Sequence, residues 1–112
     1  MKMIRAYLHG NRVAAVIAAL KSSPAWGDET SGRSHNLTLC AVNGTLTPIH
    51  EAQRRFSIEV ADEVVNEFKL ELHCEEDQVS EFVRAIAAAG RTGQPGAGWI
   101  YVTDIQHVES ID

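Results

Sequence analysis

Apolar and polar positions alternate along Lys2–His9, with Lys2, Ile4, Ala6 and Leu8 on one face and Met3, Arg5, Tyr7 and His9 on the other. A period of two that stops at Gly10 predicts a strand. The period then changes. Val13, Val16, Ile17 and Leu20 recur at helical spacing, which predicts a helix over Arg12–Ser22 with Asn11 as its N-cap. Ser22–His35 is polar and broken by Pro24, Gly27 and Gly32, so it reads as a loop with Trp26 as its anchor. Asn36–Val42 reads as a second strand, stopped by Asn43-Gly44. Val64–Cys74 alternates again, with Phe68, Leu70, Leu72 and Cys74 opposite Glu67, Lys69, Glu71 and His73. Between these strands, Thr45–Glu63 has mixed character and is expected to be a long, exposed, partly mobile excursion. Glu75-Glu76-Asp77 places negative charge where a helix begins. Gln78–Ala89 continues that helix, with Val79, Phe82, Val83, Ile86 and Ala89 as its buried stripe and Gly90 as its stop. Trp99–Asp104 is a last strand, and Gln106–Asp112 is a short tail with room for one more extended segment.

The resulting order is β-α-β-β-α-β. Two helices on one face of a four-stranded antiparallel sheet make an α+β, ferredoxin-like sandwich. At 112 residues it is one domain, with a modest core that oligomerisation would help.

Charge and cysteine content narrow the function. A net charge of −5 argues against a nucleic-acid partner, although local backbone donors can still hold a single anion. Cys40 and Cys74 offer neither metal spacing nor a disulfide framework and read as reduced core thiols, which fits the cytoplasm. No signal peptide is visible, and no apolar stretch approaches the ~20 residues of a membrane span, so direct membrane insertion is not expected.

The candidate chemistry lies in Arg91–Val102, RTGQPGAGWIYV. Gly93, Gly96 and Gly98 allow tight turning and successive N–H groups, a nest able to cradle phosphate oxygens, and Thr92 adds a hydroxyl. Alone, such a loop is more often just a turn. Helix, then Arg-Thr-Gly-x-x-Gly-x-Gly, then an aromatic-containing strand resembles the nucleotide-binding B-loop of the PII signalling family. The resemblance extends to MKMIRAYLHG at the first strand and helix, to LTLCAVNG at the second strand, and to FKLELHC at the third. In those terms residues 44–67 correspond to the T-loop between strands 2 and 3, residues 91–99 to the B-loop, and residues 22–35 to an insertion.

The resemblance implies a homotrimer, not an enzyme, that binds an adenine nucleotide in clefts between subunits and signals to a protein partner through its T-loop. It implies adenine contacts for Thr38 and Glu71, and nucleotide-facing backbone at Gly44 and Thr45. Gly96, Ala97 and Gly98 would hold phosphate, with Arg91, Thr92 and Trp99 beside them. Read without the resemblance, Thr38 is a β-propensity residue and Glu71 a solvent-facing carboxylate. Several family residues are replaced. Trp99 stands for the basic residue that closes the B-loop. Ser110 and Asp112 stand for two phosphate-binding arginines. Each lost charge-assisted contact costs roughly 1.5–3 kcal/mol, so ADP or AMP is expected over ATP. Pro48 and Glu67 replace the glutamine and lysine used for 2-oxoglutarate, and Val60 replaces the modified tyrosine. What remains looks like the PII-like branch linked to carboxysomes and inorganic-carbon uptake. That branch implies bicarbonate as a second ligand, with Arg54 or Arg55 as donors, and a transporter or carboxysome-linked protein as target. No metal is required in this reading.

The alternative is a trimeric divalent-metal-responsive protein of the cation tolerance type, suggested by five histidines that show no HxxxH or HExxH spacing. His9 and His73 are its one candidate pair across strands. A hydrolase on the same scaffold would need a nucleophile–base pair, and none stands at recognisable spacing.

Overall fold

A computed structural model describes residues 1–27, 35–48, 54–57 and 62–112, the stretches at 54–57 and 62–66 by their backbone alone. The elements are β1 (Lys2–His9), α1 (Gly10–Ser22), β2 (Thr38–Gly44), β3 (Arg54–Ser57), β4 (Asp62–Cys74), α2 (Val79–Gly90) and β5 (Trp99–Asp104). Single 3-10 turns at Pro24–Trp26 and Glu76–Gln78 extend α1 and introduce α2.

The sheet runs β2-β4-β1-β5, with every pair antiparallel and β3 paired to the first four residues of β4. This order, with two helices, is compatible with a ferredoxin-like arrangement. Register follows the hydrophobic pattern: Ile4 lies opposite Leu72 and Ala6 opposite Leu70, so the apolar sets of β1 and β4 share the helix-covered face. Ile4, Leu70 and Leu72 from the sheet, Val16 and Leu20 from α1, and Phe82 and Ile86 from α2 are buried together. Each such side chain contributes about 1.5–3 kcal/mol by leaving water.

Trp26 anchors the chain after α1, as its position in a polar stretch predicts. Its ring centroid lies 6.2 Å from Phe82 and 4.9 Å from His35. His35 is a second anchor that the sequence does not announce. It is buried, stacks edge-on to Phe82 at 5.1 Å, and donates from Nδ1 to the His73 carbonyl at 3.0 Å. Gln78 fastens the same stretch by donating from Nε2 to the Ala25 carbonyl at 3.1 Å. It also completes a capping box with Glu75.

Several expectations are corrected. α1 begins at Gly10, not Arg12, and its N-cap is His9, whose ring makes no capping bond because it is engaged elsewhere. Gly90 ends α2 without a positive φ. An added Cβ there would lie 3.0 Å from Leu8 Cδ2, a tight contact. Cys74 is a buried thiol as expected, but Cys40 is exposed: it aligns with Lys69, on the face away from the helices. His9 and His73 do not meet, since their partners across the β1–β4 ladder are Glu67 and Met3. Part of the 44–67 excursion is regular: β3 pairs with residues 62–65 of β4, and β4 begins at Asp62, two residues before the expected start. The tail forms no further strand.

Replacing Trp26 with alanine empties a core position shared with Phe82 and His35. The expected cost is about 3–5 kcal/mol, measured as a lowered urea midpoint with an unchanged m-value.

Candidate ligand crevice

The glycine-rich loop leaves α2 at Arg91 and enters β5 at Trp99. Gly93 and Gly96 have φ of 85° and 72°, a left-handed conformation that glycine adopts without a Cβ clash. Thr92 Oγ1 accepts the Gln94 N–H at 3.2 Å, and the Ala97 N–H donates to the Gln94 carbonyl at 3.3 Å. The Ala97 amide is therefore engaged within the loop, and its side chain is buried.

A second segment clasps this loop. The Thr47 N–H donates to the Gly96 carbonyl at 3.0 Å, and Thr47 Oγ1 donates to the Pro95 carbonyl at 2.8 Å. Thr47 stands three residues past β2, at the root of the excursion. The root is held in turn from the sheet. His9 Nε2 donates to the Thr47 carbonyl at 2.7 Å, and the Glu67 carboxylate accepts the Leu46 N–H at 3.4 Å. His9 and Glu67 face each other across the β1–β4 ladder, and both are buried. The Glu67 carboxylate also covers Gly44, where any Cβ would overlap it.

Two concavities flank the loop. One, of about 480 Å³, lies between the loop and the end of α2 and is lined by Leu8, Ile86, Arg91, Thr92 and residues 93–100. The other, of about 330 Å³, opens on the sheet face away from the helices. Its walls are the aromatic rings of Tyr7, Trp99 and Tyr101, the 43–46 segment, and Glu67. Tyr7 and Tyr101 pack edge to face at 6.0 Å, while Trp99 and Tyr101 remain 55% and 48% exposed.

The candidate residues fall into two groups. Gly44 and Thr45 line the crevice on the sheet face, Gly96–Gly98 line the opposite cleft, and Trp99 borders both. Arg91 is exposed beside Thr92. Thr38 and Glu71 are neighbours across the β2–β4 ladder. At ~3.3 Å rise per residue they lie about 13 Å along the sheet from the Glu67 row. The side chains of Arg54 and Arg55 are outside the described residues. Sequence reasoning missed Thr47, the bond from His9 to its carbonyl, and the burial of Glu67. Their link needs the pairing register, which no local spacing encodes.

Electrostatics separates the two carboxylates on β4. Burial pushes the Glu67 carboxyl above its ordinary value, with the Leu46 N–H and the charge of His9 acting in the opposite direction. Burial also pushes Glu71 upward, but bonds from Arg5 at 3.4 Å and Lys69 at 3.3 Å outweigh it and leave its carboxyl below the ordinary value. Among the described residues no group of three or more His, Cys, Asp or Glu side chains converges to hold a metal ion. No helix among them is long and apolar enough to cross a membrane. No family model matches the chain, and no curated protein matches it.

Two outcomes follow. The Glu67 carboxyl is raised in the fold, so its stabilising contribution is full below the ordinary carboxylate range and is lost as pH rises through the folded value. Glu67→Gln keeps an acceptor for Leu46 without the charge. It should melt above wild type at pH 8, and the difference should close toward pH 4 in calorimetric scans. Thr47→Val removes the hydroxyl bond to Pro95, at about 0.5–1.5 kcal/mol. Amide hydrogen exchange should quicken across residues 93–98 while the core strands keep their protection.

Proposed function

We propose that the protein is a non-catalytic sensor that binds an adenine nucleotide and reports occupancy through the excursion between β2 and β4. The observation that carries this reading is the Thr47 clasp: one residue bonds the glycine-rich loop twice and belongs to the root of the excursion. A ligand that reshapes residues 93–98 must move Thr47 or break its bonds, and either event biases the segment that a partner would read.

The site fits a nucleotide in three respects. Glycines at left-handed φ, with Gly93, Gly96 and Gly98 exposed, leave loop backbone open to an anion, the engaged amides of Gln94 and Ala97 excepted. Tyr7, Trp99 and Tyr101 offer flat apolar surfaces. The distance from the Glu67 row to Thr38 and Glu71 suits a ligand with a base at one end and phosphate at the other. The resemblance to PII proteins adds a trimer with sites between copies. The sheet face that carries Trp99 and Tyr101 has no cover among the described residues and is the surface such an assembly would bury. The described walls of the sheet-face crevice carry no lysine or arginine, which favours ADP or AMP over ATP. Bicarbonate, held with help from Arg54 or Arg55, is the second ligand of this proposal. A transporter or carboxysome-linked protein is its partner.

The test is titration calorimetry with AMP, ADP, ATP and 2-oxoglutarate, each with and without bicarbonate, alongside sedimentation equilibrium. The expected results are a trimer, micromolar-range binding of ADP or AMP, weaker binding of ATP, no heat with 2-oxoglutarate, and dissociation to monomers in Tyr101→Glu. A monomer that binds none of the nucleotides contradicts the reading.

A further inference from the structure

We propose that Glu67 is the specificity-determining residue of the sheet-face crevice, disfavouring adenine nucleotides progressively with each added phosphate and favouring a ligand that presents a hydrogen-bond donor to the carboxylate. The inference rests on the nucleotide reading above and deepens it.

Position is the first argument. Glu67 is 5% exposed, yet it lines a crevice that is open to solvent. Its carboxylate lies directly over Gly44 and binds the Leu46 N–H. These are the backbone segments that would otherwise meet a ligand's phosphates on this side of the loop. Phosphates entering the crevice toward residues 44–46 run into a carboxylate fixed by burial.

Composition is the second argument. Glu67 is the one charged side chain among the described residues lining the crevice, with no lysine or arginine beside it there; the one group of opposite charge acting on it is His9, across the β1–β4 ladder behind it. Lys69, the nearest cation on β4, is committed to Glu71, and Arg5 on β1 is committed to the same carboxylate. Like charges brought together in a partly dry site repel, and the repulsion grows with each added phosphate. A hydroxyl or amino group gains from the same carboxylate, because an ionised acceptor forms the stronger class of hydrogen bond.

Geometry also limits escape. The carboxylate cannot swing toward solvent without releasing Leu46, which loosens the root of the excursion. Phosphate entry and a clasped root are therefore in conflict. A polyphosphate ligand that did enter would act on the excursion differently from a monophosphate.

The experiment is calorimetric titration of the full-length protein with adenosine, AMP, ADP and ATP in wild type and Glu67→Gln, with Glu67→Met as a second uncharged variant of similar size should the first fail to fold. Wild type is expected to prefer AMP to ATP. Loss of the charge is expected to shrink the ratio of ATP to AMP dissociation constants at least about tenfold, with ADP intermediate and adenosine changed least. An unchanged ratio in a folded variant that still binds AMP overturns the role of Glu67 and leaves the nucleotide site standing. If neither the wild type nor the variants bind any of the four compounds, the nucleotide reading falls and this inference falls with it.

Discussion

The attachment of Thr47 to the glycine-rich loop is the constraint on which the rest of this site depends. Without it, residues 91–98 are a turn between a helix and a strand, and residues 45–48 are the start of a separate surface excursion. With it, the two share hydrogen bonds through one side chain and one amide. The sheet supplies the rigidity behind them. His9 is fixed by burial at the end of β1, and Glu67 sits opposite it on β4. Each holds one residue of the excursion's root. Strand register, set by the apolar pairs on the helix-covered face, thus determines the placement of polar residues on the other face.

That division of labour explains why a small chain tolerates buried ionisable groups in its sheet. Burying a carboxylate is unfavourable unless hydrogen bonds compensate it. Glu71 is compensated by Arg5 and Lys69. Glu67 has one long backbone bond and a carboxyl raised by burial. The difference is informative, because a polar group left poorly compensated against the general rule is expected at functional sites.

Much of the fold was legible in the sequence. Period-two runs located β1 and β4, Trp99–Asp104 was read as the last strand, helical spacing located both helices, and Trp26 identified itself as an apolar residue in a polar loop. The errors have physical causes. Asn11 is a better capping residue than His9 by type, but the helix starts where the strand ends, and the His9 ring is drawn to Thr47. Cys40 looked apolar enough for the core, yet its parity on β2 places it with Lys69 and not with Leu70. His35 looked like part of a solvated loop. Only the packing of Trp26 on Phe82 creates the slot it fills. The glycines of the loop were legible as turn formers, and two of them have the positive φ such a loop needs. What holds the loop was not legible, since Thr47 and Pro95 are 48 residues apart in the chain.

The central claim is that the glycine-rich loop and the root of the excursion form a single responsive site. The most direct measurement is an amide chemical-shift titration with AMP on isotopically labelled protein. The account predicts that resonances from residues 44–47 and 96–98 move together along one saturable curve with a common midpoint. Movement confined to one of these segments, or independent midpoints for the two, would contradict it.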